Sequence, residues 1–269
     1  MHRIYLLLSG LMLIALSCHS TSLYRVDTTN LPDGYGMITV ALPASYGADT
    51  TALYPTLYLL NGHGGDHTTW GRIVDLDSLA TAYGMIIVCP AGLNSWYFDA
   101  PAQPGLRMES YITGDLTAWV DSAFTTYGDA SHRAITGLSM GGHGGLWLAM
   151  RHPDLFGLAG STSGGVDFTP WPGSWNIADR LGAYDDDPEL WRTHTVMHEA
   201  QSLEPGTLKI IFDCGTEDFF FEVNNRLDSL LTERGIEHTY LTSPGAHNGA
   251  YWSRSILPQL EFFSAIWSK

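Results

Sequence analysis

Apolar residues recur along the chain with two different periods. Residues 36–43 (G-M-I-T-V-A-L-P) alternate and predict a strand. Residues 54–60, 85–89, 133–136, 156–162, 208–213 and 238–242 predict further strands. Runs such as M-I-I-V-C are apolar throughout, as expected of strands covered on both faces. Spacings of three and four predict helices at 70–83, 110–127, 140–150, 223–234 and 256–267. In 110–127, Ile112, Leu116, Trp119, Val120 and Phe124 share one face.

Strands that alternate with helices predict an α/β fold: a mostly parallel twisted sheet with helices on both faces, its early segments antiparallel. Residues 164–205 follow neither period. They are rich in Trp, Pro, Gly and Asp, and predict an irregular insert over one end of the sheet. No linker divides the chain, so residues 18–269 read as one domain.

Residues 1–17 carry Arg3 and an apolar run over 4–16, shorter than the roughly 20 residues of a spanning helix. This predicts a signal peptide and export to the cell envelope, periplasm or medium. Cys18 follows Ala15-Leu16-Ser17, which predicts a lipoprotein-type cleavage with Cys18 lipidated; that anchor is the only membrane contact expected. The chain has 28 acidic and 13 basic residues and a formal charge of −15, which argues against nucleic acid or an anionic bilayer as partner. Cys89 and Cys214 each end an apolar strand and read as buried free thiols rather than a disulfide.

Candidate chemistry concentrates where predicted strands end. G-L-S-M-G at 137–141 joins a strand to a helix and fits the G-x-S-x-G pattern, whose glycines clear space around Ser139. A serine hydroxyl needs a base, and the base an orienting acid. His247 lies in a Gly-containing loop before the last helix and is the candidate base. For the acid, Asp218 competes with Glu217 and Asp213; Asp218 is preferred because it lies in the loop proper, whereas Asp213 reads as a cap at the strand end. Anion stabilisation calls for the Met140 amide and a second amide from N-G-H-G-G at 61–65, with His63 preferred and Gly64 the alternative.

Six segments in order resemble the esterase D/feruloyl esterase-like (tributyrin esterase-like) branch of the α/β-hydrolases. They are L-L-N-G-H-G-G-D-H-T-T-W, N-S-W-Y-F-D-A-P, E-S-Y-I-T-G-D-L, G-L-S-M-G-G-H-G-G, D-C-G-T-E-D-F-F and G-A-H-N-G-A-Y-W. The resemblance runs from about residue 36 to the end. It implies an α/β-hydrolase fold, a Ser139–His247–Asp218 triad, Met140 and His63 amides at the oxyanion hole, and no cofactor. It also places Asp218 ahead of Glu217. Asn61 stands where the family usually has histidine. The residue before Ser139 is Leu138, unlike S-formylglutathione hydrolases, which favour histidine there.

Trp96, Trp171 and Trp175 lie in predicted loops and are candidate substrate contacts; Tyr97 and Trp191 share that setting. His143, one turn beyond Ser139, reads as lining or packing the site. His194, His198 and Glu199 have zinc-like spacing but read as a solvated helix face, and Asp185-Asp186-Asp187 as a solvated loop, so no metal is expected. The expected activity is hydrolysis of carboxylic esters, small or carbohydrate-borne, with short acyl, acetyl or feruloyl groups. The alternatives are acyl transfer on the same fold, or carbohydrate binding without turnover.

Overall fold

The computed structural model describes residues 21–269. The predicted signal segment and Cys18 lie outside the described residues. Eight strands form one sheet: β1 (Ser22–Arg25), β2 (Met37–Ala41), β3 (Thr56–Leu60), β4 (Ile86–Pro90), β5 (Arg133–Gly137), β6 (Leu158–Thr162), β7 (Lys209–Gly215) and β8 (His238–Ser243). Their spatial order is β1-β2-β4-β3-β5-β6-β7-β8. Only the β1–β2 and β2–β4 pairings are antiparallel, so β2 alone runs against the rest; β3 already pairs in parallel with both β4 and β5.

Period-two alternation divides the core into two layers. Leu57 and Leu59 point into one, with Ile87, Cys89 and Ile211. Tyr58 and Leu60 point into the other, with Val88, Phe212 and Cys214. Cys89 and Cys214 therefore lie on opposite sides of the sheet, and both are free thiols.

Local chemistry moves several helix boundaries. The 70–83 segment is a 3-10 turn, Trp70–Arg72, followed by a helix, Leu76–Tyr83, because Asp75 accepts from the Ser78 amide and caps a new start. The 110–127 segment begins with Met108–Ser110, passes through a π-helical stretch, Tyr111–Leu116, and ends at Thr117–Ala123. Phe124 is extended, and Thr126 bridges to Tyr54. The last helix, Gly249–Trp267, starts seven residues before the predicted 256 because Asn248 caps it through the Tyr251 amide. The connection between β6 and β7 holds three short helices, Ala178–Leu181, Pro188–Thr193 and Val196–Glu199. No helix among the described residues is long and apolar enough to cross a membrane.

The connections after β3 and β5 leave the sheet on either side of a switch in strand order, since β4 lies beyond β3 and β6 beyond β5. In open α/β sheets the crevice at such a point collects ligands.

Candidate active site

Ser139 sits at the switch point, between β5 and the helix Met140–Arg151. Its backbone has φ 57° and ψ −116°, outside the regions comfortable for a residue with a Cβ. The Ser139 amide donates to the Thr162 carbonyl, and its own carbonyl accepts from the His143 and Gly165 amides. Those bonds hold the strained turn. The glycines explain how the helix fits beneath it. A Cβ at Gly141 would overlap the Leu60 carbonyl, and one at Gly144 would overlap the Tyr97 ring.

His247 Nε2 lies 2.9 Å from Ser139 Oγ, and its Nδ1 lies 2.8 Å from Asp218 Oδ2. Asp218 Oδ1 accepts from the Phe220 amide at 2.9 Å, which turns Oδ2 toward the ring. The Asp218 side chain is fully buried, whereas the His247 side chain keeps 15% exposure. A buried carboxylate on Nδ1 selects the tautomer with hydrogen there and leaves Nε2 free to accept from the serine. Phe219, Phe220 and Trp252 surround the imidazole, with ring centroids 4.3, 5.5 and 5.0 Å away.

The other two carboxylates weighed with Asp218 have different surroundings. Glu217 is exposed. Asp213 is buried beneath the site, where it accepts from Thr162 Oγ1 at 2.6 Å and Gln259 Nε2 at 2.7 Å. Burial pushes its carboxyl up to about 6, against the hydrogen bonds that favour its charge.

The amides of His63 and Met140 face no hydrogen-bond acceptor among the described residues. The Gly64 amide, the alternative, already donates to Asn94 Oδ1 at 2.6 Å. Asn61 anchors this loop from within the core. Its Oδ1 accepts from the Gly92 amide at 2.9 Å, and its Nδ2 donates to the Gly62 carbonyl at 2.8 Å. The His63 ring points the other way and bonds Asn176 of the insert at 3.0 Å.

A cleft of ≈ 500 Å³ opens over Ser139 and His247, lined also by His63, Arg72, Trp175, Phe219 and Trp252. Of the three candidate tryptophans, only Trp175 lines it. Trp96 is 1% exposed and packs on His143, Phe168 and Trp175, so it is a core residue beneath the insert rather than a substrate contact. Trp171 is half-buried and leans on Trp175 and Phe220, behind the cleft wall. Trp191 is fully buried. Phe219 and Trp252 escaped the sequence reading, although each stands within five residues of a triad candidate in a motif already singled out.

His143 is buried, with Nδ1 2.9 Å from the Trp96 carbonyl and Nε2 2.9 Å from the His194 carbonyl. Its ring joins the β4 loop to the insert, and only its backbone amide bonds Ser139. The two carbonyls favour a charged ring, but burial dominates and lowers His143 to about 4. His194 stacks on Trp147, His198 faces Arg192, and Glu199 pairs with Arg151. Asp187 caps the helix Pro188–Thr193.

Backbone strain gathers around this cleft. The non-glycine residues with positive φ among those described are Leu93, Asn94, Trp96, Tyr97, Ser139, Ser163, Trp175 and Asn176. All lie in the loops after β4, β5 and β6 or in the insert. Such positions cost on the order of 1–3 kcal/mol each and persist where surrounding structure enforces them.

The chain is similar to known proteins. A family model named Esterase, described as "Putative esterase", matches residues 33–263. An acetyl esterase of Caldicellulosiruptor saccharolyticus is 26% identical over 229 residues, covering 78% of this chain and 84% of that protein. The diacylglycerol acyltransferase/mycolyltransferase Ag85B of Mycolicibacterium smegmatis is 27% identical over 245 residues, covering 74% and 73%. A solved ferulic acid esterase superposes with a TM-score of 0.75 at 23% identity, over 93% of this chain and 98% of that one. The chain thus belongs to the Esterase family and is a serine carboxylic-ester hydrolase of the α/β-hydrolase fold.

Proposed function

We propose that Ser139 is the nucleophile, His247 the general base and acid, and Asp218 the residue that orients and stabilises the imidazole. The observation that carries this reading is the continuous chain from Asp218 through His247 to Ser139, at 2.8 and 2.9 Å. Ser139 Oγ attacks the ester carbonyl as its proton passes to His247 Nε2. The oxyanion is held by the His63 and Met140 amides, the latter at the N-terminus of the helix Met140–Arg151. Collapse breaks the carbon–oxygen bond of the ester, and His247 returns the proton to the departing alcohol. Water then gives a proton to His247, attacks the acyl-enzyme and releases the acid and Ser139.

The substrates proposed are short acyl esters, with acetyl or feruloyl groups on carbohydrate as natural targets. The acetyl esterase relative and the aromatic wall of Trp175, Phe219 and Trp252 support this. Export by the segment 1–17, lipidation at Cys18, and residues 18–269 as one catalytic domain with an insert at about 164–205 complete the reading. Their support is the sequence pattern. Release of p-nitrophenol from acetyl, butyryl and longer p-nitrophenyl esters tests the core of it. Turnover by the wild type and none by Ser139→Ala is expected; equal turnover by both would sink it. The Ag85B relative favours acyl transfer as a second reading. Added alcohol acceptors separate the two, since transfer yields a new ester where hydrolysis yields acid.

A further inference from the structure

Gly64 and Gly65 wall two hollows. One is the cleft over Ser139; the other, of ≈ 320 Å³, is lined by Tyr35, Asn94, Gln103 and Arg180 among others. Arg180 sets its character. Nε donates to the Asn94 carbonyl at 3.0 Å and Nη1 to Gln103 Oε1 at 2.5 Å, both neutral acceptors. Nη2 has no acceptor among the described residues. Most arginines among those residues face a carboxylate within ion-pair distance. The exceptions are Arg180, Arg234 and Arg254; the latter two donate to the carbonyls of Leu203 and Pro244. In a chain with 28 acidic and 13 basic residues, Arg180 is thus a half-buried cation with no carboxylate within ion-pair distance among the described residues, in a hollow that adjoins the catalytic cleft.

The surroundings of Arg180 are donors too. The Oδ1 of Asn94 accepts from the Gly64 amide and the Oε1 of Gln103 from Arg180, and among the described residues the Nδ2 and Nε2 groups of these side chains have no acceptor. Leu93 and Asn94 hold their places at φ 52° each, and strain of that kind persists where the surroundings demand one geometry. A planar guanidinium beside two amide N–H groups matches a carboxylate.

We propose that this hollow is a subsite for a carboxylate carried by the substrate away from the scissile ester. Resting on the serine-esterase reading, it narrows the substrate class to esters with a second, anionic end. The carboxylate belongs either to the alcohol part, as in a uronic acid, or to the acyl part, as in a dicarboxylic half-ester. Through Asn94, Arg180 is linked to Gly64, the residue after the proposed oxyanion donor His63. An anion on Arg180 therefore registers the substrate against the oxyanion loop.

Two matched pairs of substrates test the proposal. The first sets mono-p-nitrophenyl glutarate against p-nitrophenyl pentanoate. The second sets an acetylated methyl glucuronoside against the acetylated methyl glucoside. Within each pair, the ratio of kcat/KM for the anionic ester to that for the neutral one cancels general damage to the catalytic groups. The wild type is expected to favour the anionic member of one pair by on the order of fivefold to fiftyfold, the range of a partly screened charge-assisted hydrogen bond. Arg180→Gln should bring that ratio to about one, Arg180→Lys should restore part of it, and raising salt from about 0.05 to about 0.5 M should lower it in the wild type. The pair that responds tells which end carries the carboxylate. A ratio of one or less in both pairs, or a preference that survives Arg180→Gln, overturns the subsite and leaves the esterase reading intact. Absence of turnover with every ester overturns the esterase reading instead. The subsite is then read by saturation-transfer NMR with glutarate and methyl glucuronoside, where no binding, or binding unchanged by Arg180→Gln, refutes it.

Discussion

Two polar chains link the strand ends to the C-terminal segment, one through the loop before the last helix and one through that helix, and only the first meets the cleft. The first runs from Ser139 through His247 to Asp218. The second centres on Asp213, which takes hydrogen bonds from Thr162 and Gln259, while Thr162 also meets Ser255 at 2.6 Å. Gln259 ties in Thr136 and the Ser161 carbonyl as well, so the second chain spans β5, β6, β7 and the helix Gly249–Trp267. Each contains a hydroxyl and a buried aspartate. The first one has an imidazole between them, with its far nitrogen facing a hydroxyl in an open cleft. The second one has an amide and hydroxyls and no imidazole, packed out of reach of solvent. A carboxylate's work here is decided by its donor. In the proposed mechanism a ring N–H makes Asp218 part of the chemistry, whereas hydroxyl and amide donors make Asp213 a brace. The two are coupled, because the braced helix begins one residue after the His247–Asn248 step.

The comparison breaks most directly at the hydroxyl of the first chain. Ser139→Ala should lower kcat by about 10⁴-fold or more with the unfolding midpoint little changed. At Asp218, replacement by Asn should lower kcat by roughly 10³- to 10⁴-fold, since the amide favours the wrong tautomer. The same assay on Glu217→Gln should stay within about twofold; a large loss there would move the orienting role to Glu217. Asp213→Asn should do the reverse of Asp218→Asn. Its new N–H₂ would confront a donor from Thr162 or Gln259, so urea unfolding should show a loss of about 1–3 kcal/mol, with kcat changed by less than about tenfold. A catalytic loss at Asp213 as deep as that at Asp218 would end the distinction between the two chains.

The pH dependence of stability sharpens the same contrast. The folded-state value of Asp213, about 6, lies above its ordinary 3.8. The folded protein therefore binds this proton more readily than the unfolded chain between those values. The contribution of Asp213 is fully present below about 3.8 and is lost as pH rises through about 6. The stability difference between wild type and Asp213→Asn should accordingly shrink from pH 4 to pH 6, and a difference that grows would contradict burial as the dominant influence. The smallest effect is expected for Ser255→Ala. It removes one hydroxyl from the second chain and should cost about 1 kcal/mol in unfolding without a change in the pH profile of kcat.

The residues proposed for catalysis stand out in the sequence because each depends on its immediate neighbours. Ser139 needs glycine on both sides of a strand–helix turn. His247 needs a loop before a helix, and the oxyanion loop needs small residues, so each leaves a local motif in the chain. The parallel sheet was readable for the same reason, through its continuous apolar strands. Boundaries slipped where one side chain sets the limit, as at Asp75 and Asn248, or where Phe124 keeps helical spacing in an extended backbone.

Other properties depend on what comes from elsewhere in the chain. Nothing near Trp96 says that Phe168 and Trp175 of the insert will cover it, nor that Trp175 alone of the three tryptophans will reach the cleft. Asp213 and Asp218 are five residues apart in one motif; their different work follows from Gln259 and His247, which arrive with the last helix and the loop before it. Arg180 gives no local sign that its hydrogen-bond acceptors will be the neutral Asn94 carbonyl and Gln103 amide. Periodicity and turn chemistry act over a few residues and are written in the order of the chain. Burial, hydrogen-bond partners and the balance of charge arise between residues far apart in sequence, and they exist only once the fold has closed around them.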